Sequence, residues 1–159
     1  MSPVIVCPAR RRDAAVLVAM MRGLIQEIRA LGHPIEDRIN KKVPHADGLK
    51  RDGWINALIA EIDDAPAGFA AWYRGYDAQE AVRQLRMADL YVVPTRRRRG
   101  VASELISALV TLSHKLGIGE IIWNVEPDNA PALAFYERIG ATAWTRNRIM
   151  YLKLDEYRP

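Results

Sequence analysis

The residue types best suited to chemistry stand together in one run, Leu90-Tyr91-Val92-Val93-Pro94-Thr95-Arg96-Arg97-Arg98-Arg99-Gly100-Val101-Ala102. A strand-like stretch ends at a proline, four arginines follow, and a glycine opens a segment of helical spacing. The first turn of a helix leaves backbone N–H groups unpaired, and together with the macrodipole they make an anion site. Glycine at that point lets a ligand approach the backbone closely, and arginine grips phosphate oxygens bidentately. The chemistry this suggests is retention of a diphosphate on the N-terminus of the helix. The run is not a Walker loop, because Gly-Lys-Ser/Thr is absent, and it lacks the three spaced glycines of a dinucleotide fingerprint. Residue types alone leave a second reading open, a solvated basic turn, since basic runs are common on surfaces.

The elements around this run can be read from periodicity. Val4–Val6 predicts a short first strand. Asp13 opens a helix to about Leu31, with Ala14, Leu17, Val18, Met21, Leu24, Ile25, Ile28 and Leu31 on its apolar face, and Gly32-His33-Pro34 stops it. Pro34–Gly53 is polar and irregular, with a short helix expected around Leu49–Asn56. Ala57–Ile62 and Gly68–Tyr73 are expected strands, joined by the turn Asp63-Asp64-Ala65-Pro66. Gly75–Ala81 is a loop or short helical piece, and Leu85–Val93 is a strand closed by Pro94. Gly100–Leu116 is a helix with Val101, Leu105, Ile106, Leu109, Leu112 and Leu116 inward and Gly117 as its stop. Ile118–Val125 is a strand. Asp128 or Asn129 caps a helix that buries Ala132, Leu133, Phe135, Tyr136 and Ile139, with Pro131 in its first turn and Gly140 at its end. Ala141–Trp144 and Arg148–Leu154 are two final strands. This order predicts a mixed α/β sheet with helices on both faces, in a single domain over residues 1–159.

Composition narrows the function classes. A chain of 159 residues, 50% hydrophobic and 26% charged, can bury a core and is not a disordered type. A single cysteine, Cys7, forbids an intramolecular disulfide and fits a reducing compartment. One cysteine and three scattered histidines offer no zinc spacing, so no metal is expected. No apolar stretch approaches the ~18–20 residues of a membrane span. The opening Met1–Val6 has no basic region ahead of its short apolar run, so it reads as strand and not as a leader; a cytoplasmic protein is expected. The net charge of +4 equals the arginine tetrapeptide, because removing it leaves 19 Lys+Arg against 19 Asp+Glu. A general nucleic-acid surface would be broader, so no nucleic-acid partner is expected.

Arg97-x-x-Gly100-x-Ala102 resembles the Arg/Gln-x-x-Gly-x-Gly/Ala acetyl-CoA signature of the GNAT superfamily of N-acetyltransferases. A second block, Val125-Glu126-Pro127-Asp128-Asn129 through Ala132, Phe135-Tyr136 and Gly140-Ala141, is similar to the family's Val-x3-Asn-x2-Ala-x2-Phe/Leu-Tyr-x3-Gly-Phe/Ala pattern. Pro8-Ala9…Asp13 looks like the family's first strand-to-helix junction. Ala88-Asp89-Leu90-Tyr91-Val92 is similar to the diamine (spermidine/spermine) acetyltransferase branch, with Ala88 where that branch carries glutamate.

The resemblance implies a GNAT-like fold: a six- to seven-stranded mixed sheet, a splayed central pair made of Leu85–Val93 and Ile118–Val125, and about four helices. It implies acetyl transfer from acetyl-CoA to a primary amine by direct attack, through a tetrahedral intermediate. The N–H of Val92 or Val93 would polarise the thioester carbonyl. The amides of Arg98, Arg99, Gly100, Val101 and Ala102, with Ser103 following and the Arg97 and Arg99 side chains alongside, would hold the pyrophosphate. Asn129 would meet the pantetheine arm, with Ala132 and Tyr136 beside it, and Tyr136 would protonate the leaving thiolate. Tyr136 also fits a plain core position on its helix.

An amine of pKa near 10 is charged at neutral pH and must lose a proton before attack. With Ala88 in the glutamate's place, Asp89, Glu126 or a water wire is left as base. Strand alternation puts Asp89 on the opposite face from Ala88. Acceptor specificity would come from Gln26–Trp54 and Trp144–Arg148. There Glu27, Glu36 and Asp37 suit a cationic amine, but Arg38, Lys41, Lys42, Lys50 and Arg51 stand among them. A polyamine, an amino acid and an aminoglycoside all remain open, as do a protein N-terminus or lysine. The family also suggests a homodimer. A CoA-binding sensor with little catalysis is the competing reading, and Ala88 is its main support.

Overall fold

In the computed structural model, residues 2–39, 48–50, 53–145, 150 and 154 are described. The chain divides into two compact units, residues 1–123 and 124–159.

The described residues of the first unit form a five-stranded sheet with one α-helix on each face. Its elements are β1 (Ile5–Pro8), α1 (Ala14–Ala30), β2 (Asn56–Ile62), β3 (Ala65–Asp77), β4 (Val82–Val92), α2 (Val101–Lys115) and β5 (Glu120–Ile122). The strands lie in chain order, with β1 to β4 antiparallel and β4–β5 parallel. Helix α1 lays Leu17 and Met20 on Ala57, Ile59, Phe69, Ala71 and Tyr91. Neighbouring strand residues point to opposite faces, so Gly68 and Val92 face the other way, where Val101 of α2 meets Gly68. Leu105 and Leu109 of α2 are fully buried, each contributing about 1.5–3 kcal/mol through lost apolar surface. Ahead of α1, the Asp13 carboxylate accepts the Arg10 N–H at 2.7 Å and closes the entry turn.

Both helices stop where a glycine was expected. After α2, Gly117 takes φ +63, its N–H reaches the His114 carbonyl, and the Ile118 N–H reaches the Ser113 carbonyl at 2.9 Å. After α1, Gly32 and His33 repeat the same two bonds to Arg29 and Ile28.

Several boundaries depart from the sequence reading. The hairpin of β3 and β4 is longer than expected, since Gly75–Asp77 pairs with Val82–Gln84 and is strand. Ile55 bridges Gly48 and Asn56 opens β2, so no helix ends at Asn56. The expected strand Ile118–Val125 shrinks to Glu120–Ile122: at its start the Ile118 N–H is committed to the Ser113 carbonyl in the stop after α2, and beyond Ile122 the β4 ladder ends. Its pairing with β4 ends at Arg86, and β4 runs on to Val92 with no β5 partner among the described residues. The two central strands are thus joined at one end only. The register also slips: Ala71 faces Asp89 and Trp72 faces Met87, which leaves Ala88 as the extra residue of a β-bulge.

In the second unit, α3 (Ala130–Arg138) follows Asn129 and ends at Gly140, whose φ is +88. Ile139, expected inside, is 40% exposed. Ala141–Trp144 forms no strand, and most of Arg148–Leu154 lies outside the described residues. The described residues therefore hold five strands and three helices where six or seven and about four were expected, in the mixed α/β class predicted.

Candidate active site

The basic run leaves β4 through a 3-10 turn, Pro94–Arg96, in which the Arg96 N–H reaches the Val93 carbonyl at 2.8 Å. Arg97 is extended, Arg98 turns left-handed at φ +60, and Gly100 takes φ +82 as the residue before α2. The first backbone bond of α2 runs from the Glu104 N–H to the Gly100 carbonyl at 3.0 Å. That leaves the N–H groups of Val101, Ala102 and Ser103 without an intrahelical acceptor. Glycine has no side chain to cap them, and no side-chain cap is seen among the described residues. A Cβ built on Gly100 would meet nothing within 4 Å, so the space before the helix is open. Arg96, Arg98 and Arg99 make no ion pair among the described residues.

The two oxyanion candidates separate. The Val93 N–H is bonded to the Ala67 carbonyl at 2.9 Å, so it is committed to the sheet. Val92 is the next residue, opposite Gly68. Alternation in an antiparallel ladder turns its N–H away from β3, toward the edge that β5 has left.

Arg97 was expected on the phosphate and Glu27 on the acceptor, but the two meet. The Arg97 guanidinium donates to the Val92 carbonyl at 3.2 Å and forms an ion pair with Glu27 of α1. Tyr91 lies beside them. Its ring packs against Phe69, and its hydroxyl takes the place that a side chain at position 23 would fill. Burial and the Glu27 carboxylate push the Tyr91 phenol up, while Arg97 pulls it down. The other acceptor candidates are also paired, Glu36 with Arg38 at 2.7 Å and Asp37 with Arg22 at 3.1 Å. Lys41, Lys42, His45, Arg51 and residues 146–149 lie outside the described residues.

Asp89 stands at the bulge. Burial pushes its carboxyl above the ordinary carboxylate value. The extra residue Ala88 is exposed, and Met87 and Asp89 stand opposite adjacent residues of β3, so alternation is interrupted across Met87–Asp89.

In the second unit, the Asn129 side-chain oxygen accepts the Ala132 N–H at 3.2 Å and caps α3, so Asn129 and Ala132 meet through the cap. Burial pushes the Tyr136 phenol up to about 12. Its ring packs on Phe135 with centroids 5.4 Å apart. Glu126 sits on an exposed turn, not at a strand end, and its carbonyl accepts the Asn129 N–H at 3.0 Å.

Two glycines that shape the first unit were not singled out from the sequence. A Cβ on Gly68 would run into the Tyr91 carbonyl oxygen and stand 3.1 Å from Val101 Cγ1, so Gly68 lets α2 settle at the end of β4. Gly23 makes room for Tyr91. An isolated glycine inside a helical pattern, as at Gly23, is the signal that could have drawn notice.

The chain is similar to known acetyltransferases. A thialysine N-epsilon-acetyltransferase of Mus musculus is 26% identical over 147 residues, covering 87% of this chain and 84% of the relative. The L-ornithine N5-acetyltransferase NATA1 of Arabidopsis thaliana is 30% identical over 93 residues, covering 58% of this chain and 41% of the relative. Among solved structures, the aminoglycoside N-acetyltransferase AAC(6')-Iy in complex with CoA superposes with a TM-score of 0.75 at 22% identity, covering 97% of each chain. The model of the acetyltransferase (GNAT) family matches residues 22–141, and the chain belongs to that family.

Proposed function

We propose that this protein transfers an acetyl group from acetyl-CoA to the primary amine of a small molecule. The observation that carries the reading is the uncapped N-terminus of α2, held open by Gly100 behind an arginine loop at the free end of β4. The N–H groups of Val101, Ala102 and Ser103, with the Arg98 and Arg99 side chains, bind the pyrophosphate. The Val92 N–H donates to the thioester oxygen and stabilises the tetrahedral oxyanion. Asp89 takes the ammonium proton, directly or through water. It is favoured over Glu126 because burial raises its basicity and Glu126 stands on an exposed turn. Tyr136 protonates the departing thiolate and recovers the proton that the acceptor nitrogen sheds as it becomes an amide; at about 12 its phenol is protonated between turnovers. Asn129 and Ala132 border the pantetheine arm. The relatives named for thialysine and ornithine favour an acceptor carrying a side-chain amine. Cys7, the one cysteine, suits a reducing, cytoplasmic setting.

The test is release of the CoA thiol from acetyl-CoA with thialysine, ornithine, spermidine and sisomicin as acceptors. Saturable turnover of one or more of them supports the reading. Tight CoA binding with turnover of none favours a CoA-binding sensor, the reading that the small exposed Ala88 supports in the branch's glutamate position.

A further inference from the structure

Arg97 lies inside the cofactor signature, yet two of its five donors are engaged within the protein. One reaches the Val92 carbonyl at 3.2 Å and another the Glu27 carboxylate. Glu27 stands four residues after Gly23 on α1, which places both on one helix face. Gly23 receives the Tyr91 hydroxyl, and Phe69 receives the Tyr91 ring. The Tyr91–Val92 peptide is therefore held from both sides. Before it, the Tyr91 side chain is seated against α1. After it, the Val92 carbonyl is fastened by Arg97, which α1 holds through Glu27. The N–H of that peptide is the one that alternation leaves free of β3.

We propose that Arg97 is a positioning residue and not a phosphate ligand: with Glu27 and Gly23 it fixes the angle of the Val92 N–H that stabilises the oxyanion. This rests on the acetyl-transfer reading above. A donor aimed in advance at the developing charge acts without reorganisation, and its full removal typically costs 10²–10³ in rate. Loosening it costs less, about tenfold. The Arg97 and Glu27 side chains are 46% and 37% exposed, and ion pairs of that exposure add little to folding. The variants should thus stay folded.

The experiment uses Glu27→Gln, Arg97→Gln, Arg97→Lys and the double variant Glu27→Gln/Arg97→Gln. It reads CoA affinity by calorimetry and single-turnover discharge of bound acetyl-CoA, with thialysine and with water alone as acceptors. The expected result is a rate about tenfold lower in each single variant, with the double variant no slower than the worse single, because the residues act as one unit. CoA affinity should stay within twofold, and Arg97→Lys should fail like Arg97→Gln because an ammonium lacks the fork. Weaker CoA binding in Arg97→Gln, rescued by Arg97→Lys, with tighter binding in Glu27→Gln, would make Arg97 a phosphate ligand that Glu27 holds back, and would overturn the proposal. Wild-type rates in all variants, with CoA bound, would overturn it alone. A wild-type protein that binds no CoA would overturn both it and the acetyl-transfer reading.

Discussion

Replacing Gly68 by alanine adds one methyl group at the point where three parts of the first unit converge. The new carbon would collide with the Tyr91 carbonyl oxygen and stand 3.1 Å from Val101 Cγ1 and 3.3 Å from the Val92 Cα. Two of those neighbours are β4 backbone, and the third is the first residue of α2, so relief requires moving the strand end or lifting the helix. Overpacking of this kind costs about 1–3 kcal/mol. At about 2–4 °C per kcal/mol for a chain of this size, Tm should fall by roughly 2–12 °C. The functional effect should exceed that of a remote change of equal stability. Lifting Val101 displaces the open N–H groups of the α2 terminus, and loss of one charge-assisted bond, about 1.5–3 kcal/mol, weakens CoA at least tenfold. Differential scanning fluorimetry and calorimetry with CoA read the two effects. Gly32→Ala is the control: it sits at φ +89 with nothing within 4 Å of a Cβ, so it should cost about 1–2 kcal/mol of backbone strain and leave CoA affinity unchanged. Wild-type Tm and CoA affinity in Gly68→Ala would refute the packing argument.

Tyr136→Phe should leave CoA binding intact and lower turnover by about 10²–10⁴, the range of general acid catalysis, as measured by steady-state thiol release. Because burial holds the Tyr136 phenol at about 12, the folded state binds that proton more tightly than the unfolded chain. The stability this confers is complete below pH 10 and is lost as pH rises toward 12, a loss that Tyr136→Phe should abolish in melts from pH 9 to 11. Asp89 is likewise raised above 3.8 by burial, so its charge costs stability at neutral pH and the cost is relieved as pH falls toward 3.8. Asp89→Asn should therefore raise Tm at pH 7, leave it nearly unchanged near pH 4, and slow amine turnover.

The parts of this fold that were legible in the sequence are those set by local chemistry. The helix stops at Gly32, Gly117 and Gly140 were readable because left-handed backbone favours glycine, and the positions appear at φ +89, +63 and +88. The turn from Val93 through Gly100 into α2 was readable for the same reason. The Ala88 bulge was not, because a slip of register belongs to the pairing of two strands and leaves no mark in either alone. The slip breaks strict alternation across Met87–Asp89, so alternation alone does not assign Ala88 a face relative to Asp89. The partnership of Glu27 with Arg97 joins residues 70 apart in the chain, and only tertiary contact reveals that an arginine inside a phosphate signature is already engaged. Gly68 reads as an ordinary strand residue until its neighbour across the sheet is known to be the start of α2.

The central claim is that the N-terminus of α2 behind Gly100 is the seat of the cofactor's pyrophosphate, and calorimetric titration of CoA into the wild-type protein and Gly100→Asp tests it most directly. Position 100 opens on empty space at φ +82, and aspartate tolerates left-handed backbone better than most residues, so the variant should melt near the wild-type temperature. The account predicts wild-type binding on the order of micromolar Kd and none detectable in Gly100→Asp, whose carboxylate stands where phosphate should be. Equal CoA affinity in the two proteins would contradict it.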